Sequence, residues 1–210
     1  MAEMSMNKAI HGAFRRDLTR FVTALSSLQP GDVKRGKQLA AAWSNFDDQL
    51  TQHHTGEHEI AWPALTAVGV SPSLLATMDA EHGAMAMAIA DVAAVVPELQ
   101  RAATAEDVSA ARSAFERLQA VTVAHLDHEE AELEPVYDEK KDTPEIKAMG
   151  RAFGKVDPAR GGRFFAWVTD GAAPDEMAAL KRDIPGPVLA IIGGVFGRGY
   201  RKNIAPVWKS

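Results

Sequence analysis

The sequence predicts an all-α protein, an up-down-up-down four-helix bundle with a helical C-terminal extension. Three observations predict it. Apolar residues recur at alternating steps of three and four along four separate stretches, the period of a helix face turned to a core. Alanine is abundant while aromatic residues make up only 7%, a balance that favours helix. Short breaks carrying proline, glycine or a capping residue separate the stretches, and short connections make successive helices antiparallel neighbours.

The first stretch runs from Met6 to Leu28, with a seam of His11, Phe14, Leu18, Phe21, Leu25 and Leu28. Gln29-Pro30-Gly31 ends it, and Asp32 is placed to cap the next helix. The second seam reads Leu39, Trp43, Phe46, Leu50, His53, Glu57 and Ile60, and Pro63 is expected to bend or end that helix. Ser71-Pro72 supplies a cap and a first-turn proline. The third seam follows as Leu75, Met78, His82, Met85, Ile89, Val92, Val96 and Leu99. Thr104 with Asp107 forms a capping box with Asp in the place of Glu. The fourth seam is Val108, Ala111, Phe115, Leu118, Thr122, His125, Glu129 and Glu132, with Pro135 near its end. Met78 and Met85 are expected to fill the core around His82. The acidic run Glu130, Glu132, Glu134 and Asp138 is expected to be a solvated face.

Composition narrows the function. The chain has 210 residues and no cysteine, so disulfides, thiolate metal sites and thiol catalysis are excluded. Met1 to Asn7 lacks the basic-then-apolar pattern of a signal peptide. The apolar run Val188 to Phe196 is too short to span a bilayer. A cytoplasmic protein with no membrane span is therefore expected. Residues 1–139 carry 10 Lys/Arg against 21 Asp/Glu, whereas residues 140–210 carry 13 against 7. The acidic body argues against a nucleic-acid face, and the basic tail is expected to dock on it.

A duplication carries the chemistry. His11, His53, Glu57 and Pro63 recur as His82, His125, Glu129 and Pro135, at offsets of 71, 72, 72 and 72 residues. Each half thus offers one seam histidine on a helix and a His-x-x-x-Glu on the next. Residues four apart share a helix face, so His53 with Glu57, and His125 with Glu129, point together into the core. Antiparallel pairing brings His11 beside His53 and His82 beside His125. Burying these groups without counter-charge would be very costly, and a pair of metal cations removes the objection.

These six positions resemble the hemerythrin-like family of HHE cation-binding domains, over roughly residues 7–140. The matching pattern is His11, His53-x-x-x-Glu57, His82 and His125-x-x-x-Glu129, with Pro63 and Pro135 behind the two glutamates. The resemblance implies an oxo- or hydroxo-bridged centre of two iron ions with Glu57 and Glu129 as bridging carboxylates. One position departs from the oxygen carriers of the family, which have a second histidine on the third helix. Here the corresponding residues are Met78 and Ala86. His54, about 100° round the helix from His53, or else Glu81 or water, is left to fill the gap, whereas His58 and His128 are expected to be exposed or to back the ligands. The resemblance further implies a small-molecule ligand, O2, hydrogen peroxide or nitric oxide. A reaction with peroxide or nitric oxide is the first expectation; an oxygen- or iron-binding store or sensor without turnover is the alternative.

Two other site types fit the pattern less well. His54-Thr55-Gly56-Glu57-His58 matches the H-x-x-E-H signature of inverted zinc peptidases, but leaves the duplicated histidines without a role. Ferritin-like carboxylate sites use Glu-x-x-His with carboxylates in the majority, the reverse of the order and ratio here. The bundle is expected over residues 1–140 and the extension over 141–210. Within the extension, Thr143-Pro144 and Asp157-Pro158 read as helix starts, Asp170-Gly171 as a stop, and Asp175 to Lys181 as a short helix. The extension is expected to cover the open end of the bundle.

Overall fold

A computed structural model describes residues 4–155, 157–184 and 186–209, with the side chains of 187–191 also outside the described set. The readings of Met1 to Asn7 and of Val188 to Phe196 therefore fall partly outside the described residues. Among the described residues all regular structure is helical.

Helix α1 (Met6–Ser27) starts where the Ser5 hydroxyl accepts a hydrogen bond from the Lys8 amide, and it buries His11, Phe14, Leu18, Phe21 and Leu25. Helix α2 (Val33–Gly56) is capped by Asp32 and buries Leu39, Trp43, Phe46 and Leu50. The bend expected at Pro63 takes a specific form. A π-turn over Glu57–Ala61 follows α2 directly, with the Trp62 amide donating to the Glu57 carbonyl, and helix α3 (Trp62–Ala67) continues from it. Pro63 sits in the first turn of α3, where its missing N–H is best tolerated, and the π-turn that begins at Glu57 absorbs the change of register. Helix α4 (Pro72–Arg101) begins at the Ser71 cap and buries Leu75, Met78, Met85, Val92, Val96 and Leu99. Helix α5 (Ala105–Glu132) opens with the reciprocal Thr104–Asp107 capping box.

The four long helices close a ring, α1 against α5, α5 against α4, α4 against α2, and α2 against α1. Alternating direction gathers the start of α1, the end of α2, the early turns of α4 and the end of α5 at one end of the bundle. α4 is long and apolar enough to cross a membrane by length and composition alone, but here it is one wall of the bundle and carries His82.

Helix α6 (Glu134–Lys140) follows α5, and helix α7 (Pro144–Phe153) rests on α3 and the π-turn. The approach is close: a Cβ on Gly56 would lie 2.7 Å from the Phe153 ring. Helices α8 (Pro158–Val168) and α9 (Pro174–Asp183) pack along α1, and α10 (Gly186–Phe196) packs on α8. Helix α11 (Arg198–Asn203) and a 3₁₀ turn (Ala205–Lys209) complete the described chain.

The extension does more than the expected cap. Among the described residues, α7 and α9 approach the histidine end, α9 through the Arg182 side chain that donates to the Met4 carbonyl; α8 and the last turns lie along the flank and enter the core. Trp167 is 1% exposed and its ring centroid lies 4.8 Å from that of Phe14. Its indole N–H donates to the buried carboxylate of Asp17 at 2.8 Å. Trp208 meets Phe21 edge-on at 5.0 Å. The docking charges also run against expectation, because Arg16 and Arg20 of the bundle pair with Glu176 and Asp170 of the extension. The Arg160–Asp48 pair runs in the expected sense. Apolar burial decides the contact, since partly exposed ion pairs contribute little.

Candidate metal centre

Antiparallel packing turns the two His-x-x-x-Glu segments toward each other. His11 Nε2 lies 3.2 Å from His53 Nε2, and His82 Nε2 lies 3.0 Å from His125 Nε2. The carboxylates stand between these pairs. Glu57 places one oxygen 2.9 Å from His53 Nε2 and the other 3.3 Å from His82 Nε2. Glu129 Oε2 lies 3.3 Å from His11 Nε2 and 3.9 Å from His125 Nε2. Each glutamate therefore faces one imidazole from each half of the duplication.

His54 joins the second pair. Its ring stacks on that of His82 with centroids 4.1 Å apart, and its Nε2 is buried with no hydrogen-bond partner. Two groups result: His11, His53, Glu57 and Glu129; and His54, Glu57, His82 and His125. Within each, the candidate ligand atoms lie within 4.8 Å of one another. Nitrogen and oxygen ligands at about 2.0–2.2 Å from a common ion stand up to about 4 Å apart, so each group is close to a ligand sphere. The shared Glu57 makes the two positions adjacent.

Unsatisfied atoms point the same way. Both oxygens of Glu57, Oε2 of Glu129 and Nε2 of His54 are buried without a full hydrogen bond. Buried polar atoms without partners are costly, and all four face the space a pair of cations would fill. The residues present thus fit the metal that the duplicated pattern implies.

The imidazoles are braced from behind. His11 Nδ1 meets Glu130 at 2.9 Å, and Glu130 is held by Arg15. His125 Nδ1 meets Glu81 at 2.8 Å, and the other Glu81 oxygen meets His128. Asn7 donates to Glu129 Oε1 at 3.1 Å. Such outer hydrogen bonds fix which ring nitrogen faces inward.

Burial by itself lowers the pKa of His11, but hydrogen bonds to Glu129 and Glu130 outweigh it and raise it to about 9. Burial, with the imidazoles of His82 and His53, pushes His54 down to about 2. Burial raises Glu57, yet its contacts with His53 and His82 hold it well below the usual carboxylate range. Glu81 and Glu130 are likewise lowered, burial being outweighed by the histidines and, for Glu130, by Arg15. In the metal-free chain the cluster is therefore proton-rich at His11 and proton-free at His54 and Glu57.

All six seam residues converge, and His54 stands beside them. Two expectations change, and His58 keeps the exposure expected of it. Glu81 braces His125 rather than standing among the gathered ligand atoms. Glu130 is not a solvated residue but the partner of His11. His58, with a side chain 72% exposed, turns away toward Asp79 while His54 turns inward, so the zinc-peptidase pair is split by the π-turn. The residues the sequence reading missed are Glu81 and Glu130 as braces, and the Trp167–Asp17 contact. Each brace is adjacent in sequence to a seam residue, His82 or Glu129, but its partner lies on another helix and leaves no spacing signal.

A family model, that of the hemerythrin HHE cation-binding domain, matches residues 5–137. No curated protein and no solved structure matches the chain.

Proposed function

The chain belongs to the hemerythrin HHE cation-binding domain family, and from that premise we propose that it holds two iron ions and reacts with small oxidants, hydrogen peroxide first. The observation that carries this reading is the pair of His/Glu groups sharing Glu57, which together gather five imidazoles and two carboxylates. His11, His53 and Glu129 would hold one ion; His54, His82 and His125 the other; Glu57 and Glu129 would bridge. This assigns the donor missing from the third helix to His54 on the second. Iron bound there supplies a Lewis acid and one-electron redox steps to peroxide, O2 or nitric oxide.

The chain's own residues do the rest. Glu57 and Glu129 would offset cationic charge in a site beside buried Phe14, which packs on His53, with buried Met78 and Met85 on the helix that carries His82. Glu130 and Glu81 keep His11 and His125 turned so that Nε2 faces inward. Thr122, on the α5 seam one turn deeper than His125, holds a buried hydroxyl with no partner, a donor for a small polar ligand.

Adding peroxide to the iron-loaded chain should consume it with oxygen evolution, alongside two irons per chain and oxo-bridge absorption in the near ultraviolet. Equal peroxide loss after iron removal would sink the proposal. Reversible O2 uptake by the reduced protein, with no peroxide consumption, would favour the binding alternative instead.

The pKa of His11 sets a pH dependence. Below about 9 the metal-free chain carries a proton on His11 that must leave before the nitrogen can ligate. His54 and Glu57 carry none near neutrality. Metal uptake should therefore release one proton from His11, and affinity should rise about tenfold per pH unit between 7 and 9, then level off. Titration with cobalt(II), with proton release followed by an indicator dye, measures both.

A further inference from the structure

Trp62 lies against the proposed centre without being one of its ligands. It occupies the first position of α3, immediately after the π-turn, and is 6% exposed. Its ring is nearly parallel to that of His82, at an interplanar angle of 9° and a centroid separation of 6.0 Å. Its indole N–H donates to Asp79 Oδ1 at 2.9 Å. The same oxygen lies 4.0 Å from His82 Nδ1 and 3.7 Å from His58 Nδ1. Asp79 is 44% exposed and His58 is 72% exposed. The arrangement thus runs from a candidate metal ligand, through a stacked indole, to a carboxylate at the surface.

Tyr137 is the other oxidisable ring near the cluster. Burial and the charges of Glu129 and Glu57 raise its pKa, so it keeps its phenolic proton. Glu129, Glu57 and Glu134 act on it through their charge, whereas the Trp62 indole donates directly to the Asp79 carboxylate. An indole that loses an electron becomes a cation, and an adjacent carboxylate stabilises it electrostatically. Trp62 has that partner.

We propose that Trp62 is a one-electron relay between the metal centre and the surface at Asp79 and His58. This rests on the di-iron reading given above. Hydrogen peroxide needs two electrons and two protons to become two waters. With the proposed pair in its ferric state, Trp62 would supply one of these two electrons, becoming an indole radical cation, and the bound metal would have to supply the second. No bond in the indole breaks; the Trp62 N–H stays hydrogen-bonded to Asp79, whose negative charge balances the cation. The two protons come from solvent, and an outside one-electron donor of the ascorbate class then refills the relay and the centre. The relay keeps the oxidising equivalent away from Met78 and Met85, both fully buried.

The test uses the full iron-loaded chain in its ferric state, mixed with peroxide, freeze-quenched and read by electron paramagnetic resonance. The expected result is an organic radical with indole hyperfine structure that changes on labelling with ring-deuterated tryptophan. The signal should be lost in W62F. It should be lost also in D79N, a half-exposed position where the substitution leaves the core untouched. Both variants should keep the parent's iron content and oxo-bridge absorption. Peptide mapping after repeated peroxide additions should show more oxygen on Met78 or Met85 in W62F than in the parent. A chain that binds iron and consumes peroxide yet gives no indole radical, or gives the same radical from W62F, overturns the relay and leaves the iron reading standing. A chain that takes up no iron overturns both.

Discussion

On the proposed di-iron reading, glutamine in place of Glu57 is expected to lower the bound metal from two ions to fewer than one, while leaving the helical fold in place. Glu57 is the residue common to both ligand groups, and its two oxygens face His53 and His82 at 2.9 and 3.3 Å. Gln has nearly the same volume but no charge, so both proposed ions would lose a shared anionic partner at once. Removing an outer partner of a metal ligand weakens binding about 10–100-fold; removing a shared bridge should exceed the upper figure. His54→Ala makes the contrast, since His54 belongs to one group alone, and it should retain close to one ion. Metal analysis of the purified variants, with circular dichroism to check the fold, reads both outcomes. A Glu57→Gln protein that keeps a full metal complement would remove the bridge from the account.

Trp167→Ala should be the most damaging single change outside the metal centre. Trp167 buries nearly its whole surface against Phe14, donates to Asp17, and lies next to Phe164. Truncating a buried Trp to Ala costs about 3–5 kcal/mol, and it also leaves the Asp17 carboxyl, 2% exposed, without its indole donor. At about 2–4 °C per kcal/mol for a chain of this size, the melting temperature should fall by roughly 10 °C, measured calorimetrically on the metal-free protein. Phe14 in turn packs on His53, at 5.3 Å between ring centroids, so some loosening of metal binding should accompany the loss. Truncation at residue 140 would remove Trp167, Tyr200 and Val207 from the core together, and should yield a poorly folded bundle rather than a folded one with labile metal. A stable, soluble, cooperatively melting 1–140 fragment would show that the extension is dispensable after all.

The bundle and the six seam residues were legible because both rest on local periodicity. Hydrophobic spacing fixed the faces of α1, α2, α4 and α5, and the capping signals at Asp32, Ser71 and Thr104 marked three of their starts within a residue. The duplication at offsets of 71 and 72 then marked the seam histidines and glutamates, since ionisable residues on two matched core faces have few uses other than ligating cations. The π-turn was not legible. Pro63 announces a disturbance, but whether a helix kinks, stops or widens depends on what packs against it, here α7 and the close Gly56–Phe153 contact.

By itself the sequence determined which faces are buried and which ionisable residues sit on them, because those properties follow from helical geometry along a single chain. Only the tertiary structure decided the place of His54, the bracing by Glu81 and Glu130, and the entry of Trp167 into the core. Each of those depends on a residue from another helix arriving at a particular height and angle, and no spacing within one segment encodes where a distant segment comes to rest.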